Sequence, residues 1–158
     1  MTELISTIPQ AIDMVVEKLE NKAGELGIAY VGAYDEVRIP KYPAVVIIPG
    51  DRNKVLHGEN TFNILLVLEL YVYHANLTMT KRERSRADLR LVDEIEALLE
   101  EDYGWQSDPL NTDTKRLIFG YIADIEPGNL QPRNRKSNLV IGTRMVWRGI
   151  SQRRLKIG

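Results

Sequence analysis

Apolar residues recur at Ile8, Ile12, Val15, Val16, Leu19, Ala23 and Leu26, the spacing of one buried stripe on an amphipathic helix. Thr7 followed by Gln10, with Pro9 in the first turn, supplies a capping-box start, and Gly24 and Gly27 mark the end. The segment 29–34 fits a short strand. Pro40 and Pro43 then hold the chain extended as it runs into Ala44-Val-Val-Ile-Ile48, which is apolar on both faces, as a buried strand is.

From Thr61 to Tyr73 the period changes to two. Phe62, Ile64, Leu66, Leu68, Leu70 and Val72 share one face, while Thr61, Asn63, Glu69, Tyr71 and Tyr73 lie on a mixed opposite face. This predicts the longest central strand. The turn formers of residues 50–60 predict a projecting hairpin loop that makes the two strands antiparallel neighbours.

Thr80 and Glu83 form a second capping box, opening a helix to about Asp102 with Leu91, Val92, Ile95, Leu98 and Leu99 on its buried stripe. Its start is basic (Lys81, Arg82, Arg84, Arg86) and its end acidic (Glu96, Glu100, Glu101, Asp102), the reverse of what the helix dipole favours. A rule broken at both ends predicts compensation from outside the helix, by a neighbouring chain. A polar loop over 103–113 holds Trp105, and alternation then predicts strands over Arg116–Glu126 and Asn138–Ile150. The connection 127–137 between them is long, basic and proline-bearing, a candidate binding arm. The expected fold is α+β, a mainly antiparallel sheet with two amphipathic helices packed on it in the order α-β-β-α-β-β. It forms one domain over residues 1–158, with extended loops 50–60 and 127–137 and a basic C-terminal tail 151–158.

With 158 residues, 44% of them hydrophobic, the chain has room for one developed core. The absence of cysteine excludes disulfides, thiolate zinc sites and a cysteine nucleophile. The N-terminus lacks the pattern of a secretion signal, and no apolar run reaches the roughly 20 residues of a membrane span. Synthesis in a host cytoplasm and no membrane partner are the expectation.

Charge changes the picture more. Residues 127–158 hold eight of the 21 basic residues and none of the 22 acidic ones, so they carry +8 while residues 1–126 carry −9. A chain so polarised attracts a copy of itself or another charged partner, which concerns assembly more than catalysis. Neither His57 nor His74 has a carboxylate or second imidazole at metal-ligand spacing, so both read as solvated or structural. The glycines stand in no phosphate-cradle context and no carboxylate pair has a supporting motif. No catalytic residue, metal or cofactor is expected, and the chain does not read as an enzyme. The candidate contact residues are Arg52, Lys54 and His57 in the first loop, Glu100 and Glu101 at the acidic helix end, Arg133, Arg135 and Lys136 in the arm, and Arg148, Arg153 and Arg154 toward the C-terminus. Each has a plainer reading as a solvated surface charge.

The order of elements, Tyr42-Pro-Ala-Val-Val-Ile-Ile48 running into Pro49-Gly50, a long strand ending Tyr71-Val-Tyr73, Ala87-Asp-Leu-Arg-Leu-Val-Asp-Glu-Ile-Glu-Ala-Leu98, and Arg148–Leu155 together resemble the tail terminator proteins of long-tailed bacteriophages. The likeness runs from Ile8 to Leu155 and is shared at this level with other tail-completion and head-completion proteins of the neck. It implies a subunit of a homohexameric ring on the last ring of the tail tube, which stops tube polymerisation and presents its other face to the head–tail connector. The implied partners are further copies of itself, the tail tube protein, neck proteins and, without sequence preference, genomic DNA in the channel; the implied location is the virion. The competing reading is a nucleic-acid-binding adaptor that uses the basic C-terminal third as an electrostatic patch.

Overall fold

The computed structural model describes residues 7–34, 39–56, 61–74, 81–100, 117–130 and 140–154, with backbone alone at 81–88, 117–119, 127–130, 140–141 and 152–154. In chain order the elements are α1 (Ile8–Leu26), β1 (Tyr30–Ala33), β2 (Ala44–Leu56), β3 (Thr61–Tyr73), α2 (Lys81–Glu100), β4 (Leu117–Leu130) and β5 (Val140–Arg154).

Helix α1 starts where its capping box places it. The Gln10 backbone N–H donates to Thr7 Oγ1 at 3.4 Å, and the Thr7 N–H donates back to Gln10 Oε1 at 3.2 Å. It stops at Gly27, whose φ of 74° lies in the left-handed region, and the Ile28 N–H closes onto the Ala23 carbonyl at 2.9 Å. Gly24 lies inside the helix and does not end it. Ala11, Ile12, Val15 and Leu19 are buried, with Ile8, Val16, Ala23 and Leu26 packed around them.

The sheet order is β1-β2-β3-β5-β4. β2, β3, β5 and β4 pair antiparallel, but β1 runs parallel to β2, with Tyr30 opposite Ala44 and Ala33 opposite Ile47. The fold is therefore α+β with a mixed five-stranded sheet, one strand more than the expected order. Local alternation cannot reveal the direction of the extra strand, because a four-residue strand carries too little pattern to orient it.

Three expected loops are partly strand. Residues 50–56, expected in a projecting loop, continue β2 and pair with β3 as far as Leu56 opposite Phe62; residues 57–60 lie outside the described set. Residues 127–130 of the expected arm extend β4 against Val140–Thr143. Residues 151–154 of the expected tail continue β5, Arg153 opposite Phe62 and Arg154 opposite Thr61. In each case turn-forming and charged residues argued for loops, and a long ladder on the neighbouring strand overrode that local preference.

A bulge between Pro49 and Arg52 lets β2 continue. A Cβ at Gly50 would lie 2.5 Å from the Val67 carbonyl oxygen, so only glycine fits this close approach. Because one residue is inserted, Arg52, Lys54 and Leu56 fall on the same face as Leu66, Ile64 and Phe62. That face is the helix-covered one. α1 packs on β1, β2 and β3, while α2 packs on β4 and against α1. Between them lie Val45, Ile47, Ile64, Leu66, Leu68, Leu70, Val72, Met145 and Trp147, with Leu91, Val92, Ile95 and Leu99 from α2. The opposite face holds a smaller cluster in which Ile39, Ala44, Val46 and Tyr73 pack with Tyr30, Tyr42, Ile48 and Tyr71.

Candidate functional site

Alternation on β3 puts Glu69 and Tyr71 on the outer face, and the ladder sets Tyr71 beside Arg144 of β5 and Arg144 beside Glu126 of β4. Arg144 Nε donates to Glu69 Oε1 at 3.1 Å, and Nη2 donates to the same oxygen. Nη1 donates to Glu126 Oε2 at 3.3 Å, and the Tyr71 hydroxyl donates to Glu69 Oε2 at 3.0 Å. The Tyr71 ring stacks on Tyr73 with centroids 6.4 Å apart. The hydrogen bond to Glu69 drives the Arg144 guanidinium still further above its ordinary range, against the pull of burial. Burial first, and the hydrogen bond and charge of Glu69 next, push the Tyr71 phenol up. Both shifts lead away from neutrality, so neither group changes charge near pH 7. The network ties three strands together.

Arg144 and Glu69 are each about a quarter to a third exposed, which weakens their pairing by solvent screening. Arg144→Ala should cost about 1–2 kcal/mol, chiefly because the partly buried Glu69 side chain loses its hydrogen-bond donor. Urea unfolding checks this; a midpoint unchanged from the parent chain contradicts the clamp.

Glu69 and Arg144 of the network also line an open concavity of about 510 Å³, together with Pro49, Gly50, Asp51, Val67, Asp124, Val146 and Arg148. Its charges are of both signs. Among the described residues no three His, Asp or Glu side chains group as metal ligands, and no helix is long and apolar enough to cross a membrane.

The expected contact residues are dispersed over the fold. Arg52 and Lys54 stand exposed on the distal half of β2, with Lys54 Nζ 4.1 Å from the centre of the Phe62 ring. Arg148 is exposed on the outer face, opposite Val67 and Tyr121. Glu100 ends α2 and is engaged within the molecule: its Oε1 accepts the Ile122 backbone N–H at 2.9 Å, at the bulge of β4. Arg153 and Arg154 are strand residues. His57, Glu101, Arg133, Arg135 and Lys136 lie outside the described residues.

No protein-family model and no characterised protein matches the chain. The residues themselves must then supply any functional reading.

One group escapes the sequence reading, and a second is caught there only in part, as Glu96 and Glu100 of the acidic helix end without Asp93. The first is the Glu69–Arg144–Glu126 row, whose only local sign is a charged residue in an otherwise apolar strand. Its members are up to 75 positions apart and only the ladder joins them. The second is the stripe Asp93, Glu96 and Glu100 on α2, three and then four residues apart on one flank. Burial, then Glu100 and Asp93, hold the Glu96 carboxyl above its usual range. Helical spacing was enough to find this one.

Proposed function

We propose that this chain is a structural virion subunit that caps the tail tube of a long-tailed bacteriophage as a ring, ends tube polymerisation and forms the interface to the head–tail connector. The carrying observation is the distal half of β2. Residues 51–56 are all exposed, Val55 and Leu56 at 52% and 63%, although Arg52, Lys54 and Leu56 share a face with the fully buried Leu66 and Ile64. A strand that leaves the cover of the helices and carries apolar side chains into solvent is a surface for contact. The helix-backed sheet of an α+β subunit agrees with the resemblance, and such a cap works by binding at the tube end and needs no catalytic centre.

The adaptor reading gains less support. Arg144, one of the eight C-terminal cations, is bound by Glu69 and Glu126 of its own molecule, which lowers the field available to phosphates.

The direct test adds the purified chain to tube protein from the same phage while the tube is polymerising. Shorter tubes, each closed at one end by a ring in negative-stain images, are the expected result. An unchanged length distribution with bare ends overturns the proposal.

A further inference from the structure

The sheet bears opposite charge on its two sides. On the β2 side, β1 covers only Ala44–Ile47, so among the described residues no strand pairs with 48–56 on the edge away from β3, where Arg52 and Lys54 are exposed next to Val55 and Leu56. On the β4 side, Glu100 reaches the Ile122 N–H, so the stripe it ends, Asp93, Glu96 and Glu100, runs along the flank of α2 above that edge. The last turn of α2 has no basic residue, so these carboxylates add to the negative end of the helix dipole.

One molecule cannot bring the two together. β3 and β5 stand between β2 and β4, a span of three strand spacings or about 14 Å. A second copy set beside the first in the same orientation does bring them together, and on the same helix-covered face.

We propose that the exposed half of β2 in one copy docks on the α2 flank and β4 edge of the next, with Arg52 and Lys54 against Asp93 and Glu96 and with Leu56, on the same face, covered at the centre. The surfaces differ, so the contact is head to tail and repeats until the copies close on themselves. It deepens the ring reading and rests on it for closure. Strand addition is not the means. β4 has bulges after Leu117 and Ile122, its Ile122 and Ile125 N–H groups donate to Glu100 and Asp124, and Pro127 has no N–H to give. Those features blunt an edge against backbone pairing. Side-chain charge around an apolar centre carries the contact instead.

The test compares the full chain with Arg52→Glu/Lys54→Glu and with Asp93→Lys/Glu96→Lys, by light scattering at low salt. The parent chain is expected to run as a multimer, each double variant alone as a monomer, and their equimolar mixture as a multimer holding both chains equally. High salt should weaken association of the parent chain roughly tenfold or more. If the parent forms a ring and both variants keep it, the contact lies elsewhere and this inference falls while the ring reading stands. A parent that stays monomeric at every concentration overturns both, and a mixture that stays monomeric overturns the charge pairing. Loss of duplex DNA retention by Arg52→Glu/Lys54→Glu at unchanged multimer mass would assign the exposed half of β2 to nucleic acid and overturn the inference. Should either variant misfold, Lys54→Cys/Glu96→Cys serves, since the chain has no cysteine of its own. Oxidation should then give a ladder of disulfide-linked chains, and monomers alone would overturn the contact.

Discussion

Trp147→Ala should lower stability by about 3–5 kcal/mol, the largest loss expected from any single truncation in this chain. Trp147 is fully buried on the helix-covered face of β5, where Leu68 and Ile122 flank it on the two neighbouring strands. Its indole lies over Gly120 of β4: a Cβ there would come within 2.6 Å of Trp147 Cζ2 and 2.8 Å of Nε1. Indole and missing side chain are thus two halves of one packing solution. Gly120→Ala should cost about 1–3 kcal/mol, because a rigid ring enclosed on all sides cannot move away. The two losses should not add. With the indole removed, the alanine at 120 enters the space left behind, so Gly120→Ala in a Trp147→Ala background should be nearly neutral or stabilising. Thermal or denaturant unfolding of the four chains decides the matter. Strict additivity would mean that ring and glycine do not share a space.

Stability should also fall by up to about 3 kcal/mol as pH drops from 6.5 to 4, through His74 alone. This residue follows the end of β3 and is only 5% exposed, and burial lowers its imidazole pKa from 6.5 to about 4. The folded form therefore holds the ring neutral where the unfolded chain already protonates it. Below pH 6.5 the unfolded state binds the extra proton and is favoured, and the contribution is complete once the pH passes below about 4. Above pH 6.5 both states are neutral and the effect vanishes. Carboxylates also contribute to acid unfolding, so the informative quantity is the difference between the parent chain and His74→Gln. The parent should lose stability relative to the variant by about 2–3 kcal/mol over that window. Parallel curves would show that the imidazole is protonated in the folded state too.

Much of the local structure follows from spacing. The capping box at Thr7 and Gln10, the apolar stripe of α1, and the stripe Leu91, Val92, Ile95 and Leu99 of α2 are all where the helical period puts them. The period-two run of β3 names its buried face correctly, with every even residue from Ile64 to Val72 fully buried. These features depend on neighbours three, four or two residues away, and such distances are written directly in the chain.

What the sequence alone determined, then, is the class of each long element and which of its faces turns inward, because both depend on short-range periodicity. Tertiary structure decided the rest. It inserted β5 between β3 and β4, ran β1 parallel to β2, and turned the expected loop at 50–56 into a strand whose Gly50 bulge carries Arg52 and Lys54 to the helix face. It also placed Glu69, Glu126 and Arg144 in one row and set Arg52 and Lys54 of β2 and the acidic flank of α2 on opposite sides of the sheet. Strand register is settled by the sum of many backbone hydrogen bonds and cross-strand contacts between distant segments, and no local pattern encodes that sum.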